Sequence, residues 1–339
     1  MSVASVTCVE HLLVLIPYLL GYRPTDALVL VGLRGARLGL VERIDWPGPW
    51  GDYDDRSVIH LAELLFRDGC DATYLVAYED RDRRRWPALD QVAAALDAVE
   101  IDVLDRLVVT GRDRWRSLLC EAACCAGDGR PLPAATEVPT VAEWVLRGVV
   151  PYPDRAAFAA SVEPTAQLVG YDFAGLRPLR PTRASAQRAW RTVLGLHGDT
   201  PVANLDAMTA WQAAGAAAVP ALRDEVLNLV CPGFSSGQIG PGLARGPYDV
   251  LGQGAAVQDY LRRMVDFARR LPETRRADTL AMIAACAWWH GHGTLARICL
   301  DRARQIDPAQ SLAAIVGELL DQGVRPGPVS GPASGRSSA

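Results

Sequence analysis

The stretch PYLLGYRPTDALVLVGL, which runs from Pro17 to Leu33, decides how this chain begins to fold. It opens on an apolar segment that leads to Gly21, a residue able to adopt the left-handed backbone that ends a helix. Pro24 holds Arg23 in extended geometry, so the chain has to turn here. The apolar run that follows lacks polar alternation, which is typical of a strand covered on both faces. The stretch therefore predicts a helix, a turn and a buried strand.

Further strands and helices follow in the first 130 residues. The first two strands are joined by three residues, which is hairpin length, whereas the later strands are separated by helix-sized intervals that require crossovers. We therefore expect an α/β fold with a mixed, mainly parallel sheet and flanking helices. The strands are expected at 27–33, 38–45, 72–78, 103–110 and 115–120, and the helices at 57–68 and 88–99.

Alanine-rich helical segments dominate the rest of the chain, which predicts an all-α domain. Near its end, small residues recur at the spacings of a tetratricopeptide unit that Pro308 terminates. Such a hairpin can serve the core alone, or it can contact a protein partner. The last residues are too poor in apolar groups to order themselves. The expected organisation is an α/β domain at 1–130, a helical domain at 131–323 and a disordered tail at 324–339.

Composition excludes several classes of function. The net charge of -4 provides no electrostatic footprint for nucleic acid or for an anionic membrane, so neither is expected as a partner. All 35 basic residues are Arg. P-loop NTPases, kinases and pyridoxal enzymes each need a Lys for their chemistry, so these three mechanisms are disfavoured.

No targeting segment is expected from the sequence, and the cysteines indicate the compartment. The apolar run from Leu12 to Leu20 is about half the length that spans a bilayer, and Pro17 interrupts it. The 8 Cys residues are scattered without the spacing of a disulfide framework. A reducing, cytoplasmic location is therefore expected.

Several motifs together resemble one known family. They are the LLGYRP opening, the RIDWP stretch, RWRSLLC with the CC that follows it, and WWHGHGTLARICLDRARQIDP near the C-terminus. The chain resembles the actinobacterial family catalogued as domain of unknown function 4192, and the matches spread over most of residues 12–323. This resemblance implies no activity, cofactor or catalytic residue.

Polar residues follow the predicted strands at their carboxyl ends, where open α/β sheets bind ligands. Arg side chains and an aromatic ring there can hold a carboxylate or phosphate, and acids can hold a cation or a ribose. The alternative is a solvated rim of compensating charges. Arg23 and Asp26 are expected at the opposite edge, as turn and capping residues. The candidate ligand-binding residues are Asp45, Glu79, Asp80, Arg112, Arg114 and Trp115.

Three thiols form the candidate metal site of the sequence. Cys120, Cys124 and Cys125 lie within six residues and could supply soft ligands to zinc. No fourth ligand is near them in the sequence, so structural or redox-sensitive thiols are the alternative.

Two other motifs are weaker. Gly233, Ser235 and Gly237 match the spacing of a hydrolase nucleophile elbow, and the segment before them could pass as a strand, but no helix is expected after them. The alternative is a connecting loop at 231–254. His290 and His292 are alternate residues at a helix end, so they are not expected to form a metal pair.

Two functional hypotheses follow. The favoured one is a non-catalytic cytoplasmic protein that binds a ligand or, through its C-terminal helices, a protein partner. The alternative is an enzyme or metal-binding protein that uses the strand-end crevice and the three-thiol cluster.

Overall fold

The computed structural model describes residues 8–46, 53–79, 86–111, 113–121, 125, 129–146, 149–165, 170–173, 180–234 and 249–326. Contacts group them into two compact units. The sheet unit contains the described residues up to Ser161 together with 249–252. The helical unit contains the other described residues from Val162 onward.

The sheet unit is built on one six-stranded sheet with the strand order β2-β1-β3-β4-β5-β6. Five helices belong to the same unit. The strands are β1 (Ala27–Arg34), β2 (Arg37–Asp45), β3 (Ala72–Glu79), β4 (Asp102–Thr110), β5 (Arg114–Ser117) and β6 (Arg130–Pro131), and the helices are α1 (Val9–Leu20), α2 (Asp55–Arg67), α3 (Trp86–Asp97), α4 (Pro139–Leu146) and α5 (Arg155–Ala160).

The sheet is mixed, but the prediction that it is mainly parallel is wrong. β3 and β4 form its one parallel pair, and the four other pairs are antiparallel. The crossover through α2 does make β3 run in the direction of β2. However, β1 lies between these two strands and is antiparallel to both of them. The length of the crossover therefore predicted the direction of β3 correctly, but it did not predict that β1 would lie between β2 and β3.

The opening stretch folds as its sequence indicates. α1 ends at Gly21, which has a φ of 82°. β1 is buried on both sides of the sheet: Leu28 and Leu30 belong to the core with α2 and α3, whereas Val29 and Val31 belong to the core with α1. This double burial explains why the strand has no polar alternation.

The sheet unit also includes residues that the sequence assigned to the helical domain. Val138 and Val141, near the start of α4, are buried in the same core as α1. Tyr152 forms a bridge to Tyr22, and its ring stacks on Phe158 in α5. The segment up to Ser161 therefore packs within this unit.

Seven α-helices lie wholly or mostly in the described part of the helical unit. α10 is its central helix, because nearly all of its residues are buried. α10 and α11 form the hairpin expected near the C-terminus, whose likeness to a tetratricopeptide unit stays a prediction. The helices are α6 (Arg183–Val193), α7 (Ala207–Ala217), α8 (Pro220–Val230), α9 (Asp249–Arg270), α10 (Arg276–Trp289), α11 (Gly293–Ile306) and α12 (Ser311–Asp321).

The structure removes the local support for a nucleophile elbow. The segment before Gly233 is the helix α8 rather than a strand, and a strand is what the elbow requires. Ser235 and Gly237 lie outside the described residues, as do 327–339 of the expected tail. A search of the described helices finds none with the length and apolar character needed to cross a membrane.

Candidate metal centre

The residues predicted to bind a ligand lie at one edge of the sheet, but the register keeps them apart. Asp45 on β2 and Trp115 on β5 belong to the same row across the sheet. They are separated by four strand spacings, which is about 19 Å. Glu79 and Arg114 flank Thr110 in the next row and are about 10 Å apart at the backbone. The first row is Asp45, Ala27, Tyr78, Val109, Trp115 and Arg130.

These side chains have different environments. Asp45 is exposed and pairs with Arg43. Glu79 is 6% exposed at the end of β3. Arg114 is exposed and donates a hydrogen bond to the carbonyl of Gly129. The ring of Trp115 is buried beneath a guanidinium 4.7 Å from its centroid. Within the described part of the chain they do not converge on one point, and Asp80 and Arg112 lie outside it.

The expected position of Asp26 is corrected by the direction of β1. Because β1 is antiparallel to β3, Ala27 pairs with Tyr78, and the amino end of β1 lies beside the carboxyl end of β3. Asp26, with a φ of 46°, and Arg23 before it are therefore at the edge where ligands were expected, not at the opposite one.

The three-thiol cluster is described only in part. Cys120 is partly exposed, and its backbone N–H donates to the hydroxyl of Ser117. Cys125 is buried. Cys124 lies outside the described residues. In the part of the chain that the structure describes, neither Cys120 nor Cys125 belongs to a group of three metal-ligating side chains.

A different set of residues forms such a group in the helical unit. One ligand atom each from Cys231, Cys286 and His290 lies within 4.8 Å of both of the others. The two thiols are fully buried, and His290 is 7% exposed. The described chain thus concentrates two sulfur ligands and one nitrogen ligand in the core of a helical unit.

The ends of two helices position these three residues. Cys231 caps the C-terminus of α8. Cys286 lies in the last turn of α10, and His290 caps that helix and donates its backbone N–H to the Cys286 carbonyl. Residues four apart on a helix share a face, so the thiol and the imidazole project together. Gly291, with a φ of 81°, then lets the chain leave the helix.

A backbone carbonyl orients the imidazole of His290. Its Nε2 is 2.7 Å from the carbonyl oxygen of Val230 and 4.0 Å from Sγ of Cys231. A carbonyl oxygen only accepts, so Nε2 is the donor in this contact. Imidazoles that bind metals commonly donate their other N–H to such an oxygen. The contact with Val230 therefore fixes the orientation of the His290 ring beside Cys231.

The pKa values of the two thiols are shifted in opposite directions. A hydrogen bond from Cys231, with help from the His290 imidazole, outweighs burial and lowers the pKa of Cys286 to about 6. Burial, together with the neighbouring Cys286, raises the pKa of Cys231 well above its usual value. One thiol of the pair is therefore ready to act as a thiolate, and the other holds its proton at neutral pH.

His292 lies beside the centre and is not a member of it. Desolvation and the nearby His290 lower the pKa of His292 to about 4. Its Nε2 is 3.5 Å from the side-chain nitrogen of Gln258, which can donate to it. This ring is neutral at physiological pH.

The sequence contained one local signal for this centre. Cys286 and His290 have the spacing that places two ligands on one helix face. The third ligand, Cys231, lies on a different helix far away in the sequence, and no local pattern connects it to them. The three clustered thiols and the His290–His292 pair are the more conspicuous patterns in the sequence, but the fold assembles a different set.

Comparison with known proteins identifies a family but no activity. A family model described as "Domain of unknown function (DUF4192)" matches residues 10–327. No curated protein and no solved structure matches the chain.

Proposed function

Since this chain belongs to the DUF4192 family, whose description names no activity, we propose from its own residues that it is a non-catalytic metal-binding protein. The ion would be held by Cys231, Cys286 and His290. The observation that carries this proposal is the convergence of these three ligand types within 4.8 Å in a buried site. In a tetrahedral zinc site, with Zn–S bonds of about 2.3 Å, two sulfur ligands are about 3.8 Å apart. A contraction of about 1 Å would therefore bring the three ligand atoms to coordinating positions.

Charge and ligand softness favour zinc among the common metals. Thiolate and imidazole ligands suit Zn²⁺ and Cu⁺, whereas Mg²⁺ and Ca²⁺ prefer oxygen. Two thiolates and a neutral imidazole carry two negative charges, which a divalent ion neutralises. A monovalent ion would leave one net negative charge in the core, where an uncompensated charge is costly. Burial of the site thus supports Zn²⁺ over Cu⁺.

Burial also supports a structural role for the ion. Catalytic zinc sites keep a position open to water and substrate, whereas structural sites are closed. Three protein ligands leave one position of a tetrahedral site to be filled, but Cys231 and Cys286 have no exposed surface, so that position is closed to a substrate. An ion held there would link the end of α8 to the end of α10. We therefore assign it the role of stabilising the helical unit.

Metal content is the first test. The full chain, loaded with zinc and freed of excess ion, should hold about one zinc per molecule by elemental mass spectrometry. Cys286→Ser and Cys231→Ser should each lose it, because two remaining ligands bind zinc weakly. Cys299→Ser is the matched control, since Cys299 is also fully buried but lies outside the centre.

The result that contradicts the proposal is equally concrete. Wild-type protein with negligible zinc after loading would refute it, provided that circular dichroism shows a folded chain. Retention of stoichiometric zinc by both ligand variants would place the ion elsewhere. Loading with Cu⁺ and Zn²⁺ in competition then tests the charge argument, which predicts that Zn²⁺ occupies the site.

The pH dependence of zinc affinity follows from the two thiol acidities. The pKa of Cys286 is lowered to about 6, so this thiol is mostly ionised at pH 7 and above. Cys231 has a raised pKa, so zinc must displace its proton at neutral pH. The logarithm of the association constant should therefore rise by about one per pH unit between pH 7 and 8 and fall more steeply below pH 6. Competition with a chromophoric chelator measures this slope, and a slope near zero above pH 7 would contradict it.

The other expectations from the sequence stay predictions. A ligand at the sheet edge, a protein partner of the C-terminal helices and a cytoplasmic location are not supported by a specific contact. On α12 the exposed large apolar side chain is Ile315, and single apolar residues are normal on protein surfaces.

A further inference from the structure

We infer that the Cys231–Cys286 pair is a peroxide-sensitive switch, in which oxidation to an intrachain disulfide expels the bound metal. This inference rests on the proposed function, since it concerns how the same centre is regulated. It depends on three features: the proximity of the two sulfur atoms, the helix-end position of one cysteine, and the incompatibility of a disulfide with metal binding.

Proximity is the first requirement. The two sulfur atoms lie within 4.8 Å of each other, and a disulfide needs them about 2.05 Å apart. The gap is therefore less than about 3 Å, which a rotation of one side chain with a small backbone shift can close. Neither thiol is in a disulfide in this structure.

The positions of the two cysteines allow one of them to move. Cys286 lies within α10 and is held by the helix on both sides. Cys231 lies at the end of α8, with a φ of -126° and a ψ of 74° that are no longer helical. The turn after it contains Gly233, with a φ of 88°, and is closed by a hydrogen bond from the N–H of Phe234 to the Cys231 carbonyl. Cys231 is therefore the partner that can approach.

Oxidation and metal binding compete for the same electron pairs. In the zinc form both sulfur atoms act as thiolate ligands. Hydrogen peroxide oxidises one thiolate to a sulfenic acid as the O–O bond breaks, and one oxygen leaves as water. The second sulfur then attacks the sulfenic sulfur, forming the S–S bond and displacing hydroxide, which takes up a proton to form a second water. The sum is one Zn²⁺ bound by two thiolates, one peroxide and two protons giving one disulfide, two waters and one free Zn²⁺.

Burial selects the oxidant. Cys231 and Cys286 have no exposed surface, so a bulky disulfide such as oxidised glutathione cannot reach either sulfur in the closed unit. Hydrogen peroxide is close to water in size and needs only a local opening of the turn from Cys231 to Phe234. The switch should therefore respond to peroxide and not to oxidised glutathione.

The test uses the full zinc-loaded chain and follows two quantities together. Released zinc is measured with a chromophoric chelator, and disulfides are located by mass spectrometry of non-reduced peptides. Peroxide should release about one zinc per chain with formation of the Cys231–Cys286 disulfide, and a thiol reductant should restore zinc binding. Cys299→Ser should respond as wild type does, because Cys299 is buried outside the centre. Oxidised glutathione should release no zinc.

Each outcome separates this inference from the proposal it rests on. A zinc-loaded chain that keeps its zinc in peroxide, or loses it without forming this disulfide, overturns the switch and leaves the metal site standing. A folded chain that holds no zinc before peroxide is added overturns both. Zinc release by oxidised glutathione at the same rate as by peroxide overturns the argument from burial.

Discussion

Removal of the proposed zinc ion with a chelator is expected to lower the melting temperature of the helical unit by roughly 8–16 °C. A ligand present at about 1,000 times its dissociation constant stabilises the folded state by about 4 kcal/mol. In a unit of this size each kcal/mol changes the melting temperature by about 2–4 °C. The proposed ion would join the ends of α8 and α10, so its removal should destabilise the packing of these two helices. Differential scanning calorimetry with and without chelator measures it.

The control compares the chelator-induced change in melting temperature between variants that lack and variants that keep the three ligands. Cys286→Ser removes one ligand, so its melting temperature should be insensitive to the chelator even if the substitution itself lowers stability. Cys299→Ser should show the full chelator effect. Equal chelator shifts in wild type and Cys286→Ser would mean that the chelator acts through another site.

A second large effect is expected from the ion pair between buried Arg276, at the start of α10, and partly exposed Glu163. Arg276 is 1% exposed and donates to the carboxylate of Glu163 at 3.1 Å and to the carbonyl of Val162 at 2.9 Å. Replacement by Met keeps the apolar volume but leaves these acceptors with fewer partners. Glu163 keeps its contact with Arg302 at 2.8 Å, which limits the loss. Arg276→Met should therefore reduce the free energy of unfolding by about 3 kcal/mol.

A partly exposed arginine provides the matched comparison. Arg297 pairs with Asp321 on the surface of the helical unit, where ion pairs contribute about 0–1 kcal/mol. Arg297→Met should therefore change the free energy of unfolding by less than about 1 kcal/mol. Urea denaturation of the two variants measures both values, and similar losses would show that burial of Arg276 is not the cause.

The extent of the secondary structure could be predicted because its causes are local. Arg34, Gly35 and Ala36 were expected to join two strands, and the observed strands end and begin at Arg34 and Arg37. The apolar run after Asp26 forms β1, which is buried on both faces. Apolar periodicity and turn residues determine structure within a few positions of the chain, so their effects can be predicted from the sequence.

The neighbours of each strand could not be predicted in this way. Placement of β1 between β2 and β3 depends on which apolar faces fit together across the whole sheet. This placement brings Ala27 beside Tyr78, so the amino end of β1 lies at the same edge of the sheet as the carboxyl end of β3. For that reason alone Arg23 and Asp26 lie at the opposite edge from the one predicted, although their local turn was predicted correctly.

The candidate metal centre likewise has features that the sequence determines and features that only the tertiary structure determines. The sequence alone determined that the chain has no Lys, that its first part alternates strands and helices, and that a Cys and a His share one face at the end of a C-terminal helix. Only the tertiary structure decided that Cys231 is the third member, because α8 and α10 bring their ends together in the core of the helical unit. It also decided that the residues of the sheet edge stay strands apart. Ligand identity is local, but the convergence of ligands depends on packing between elements that are distant in the chain.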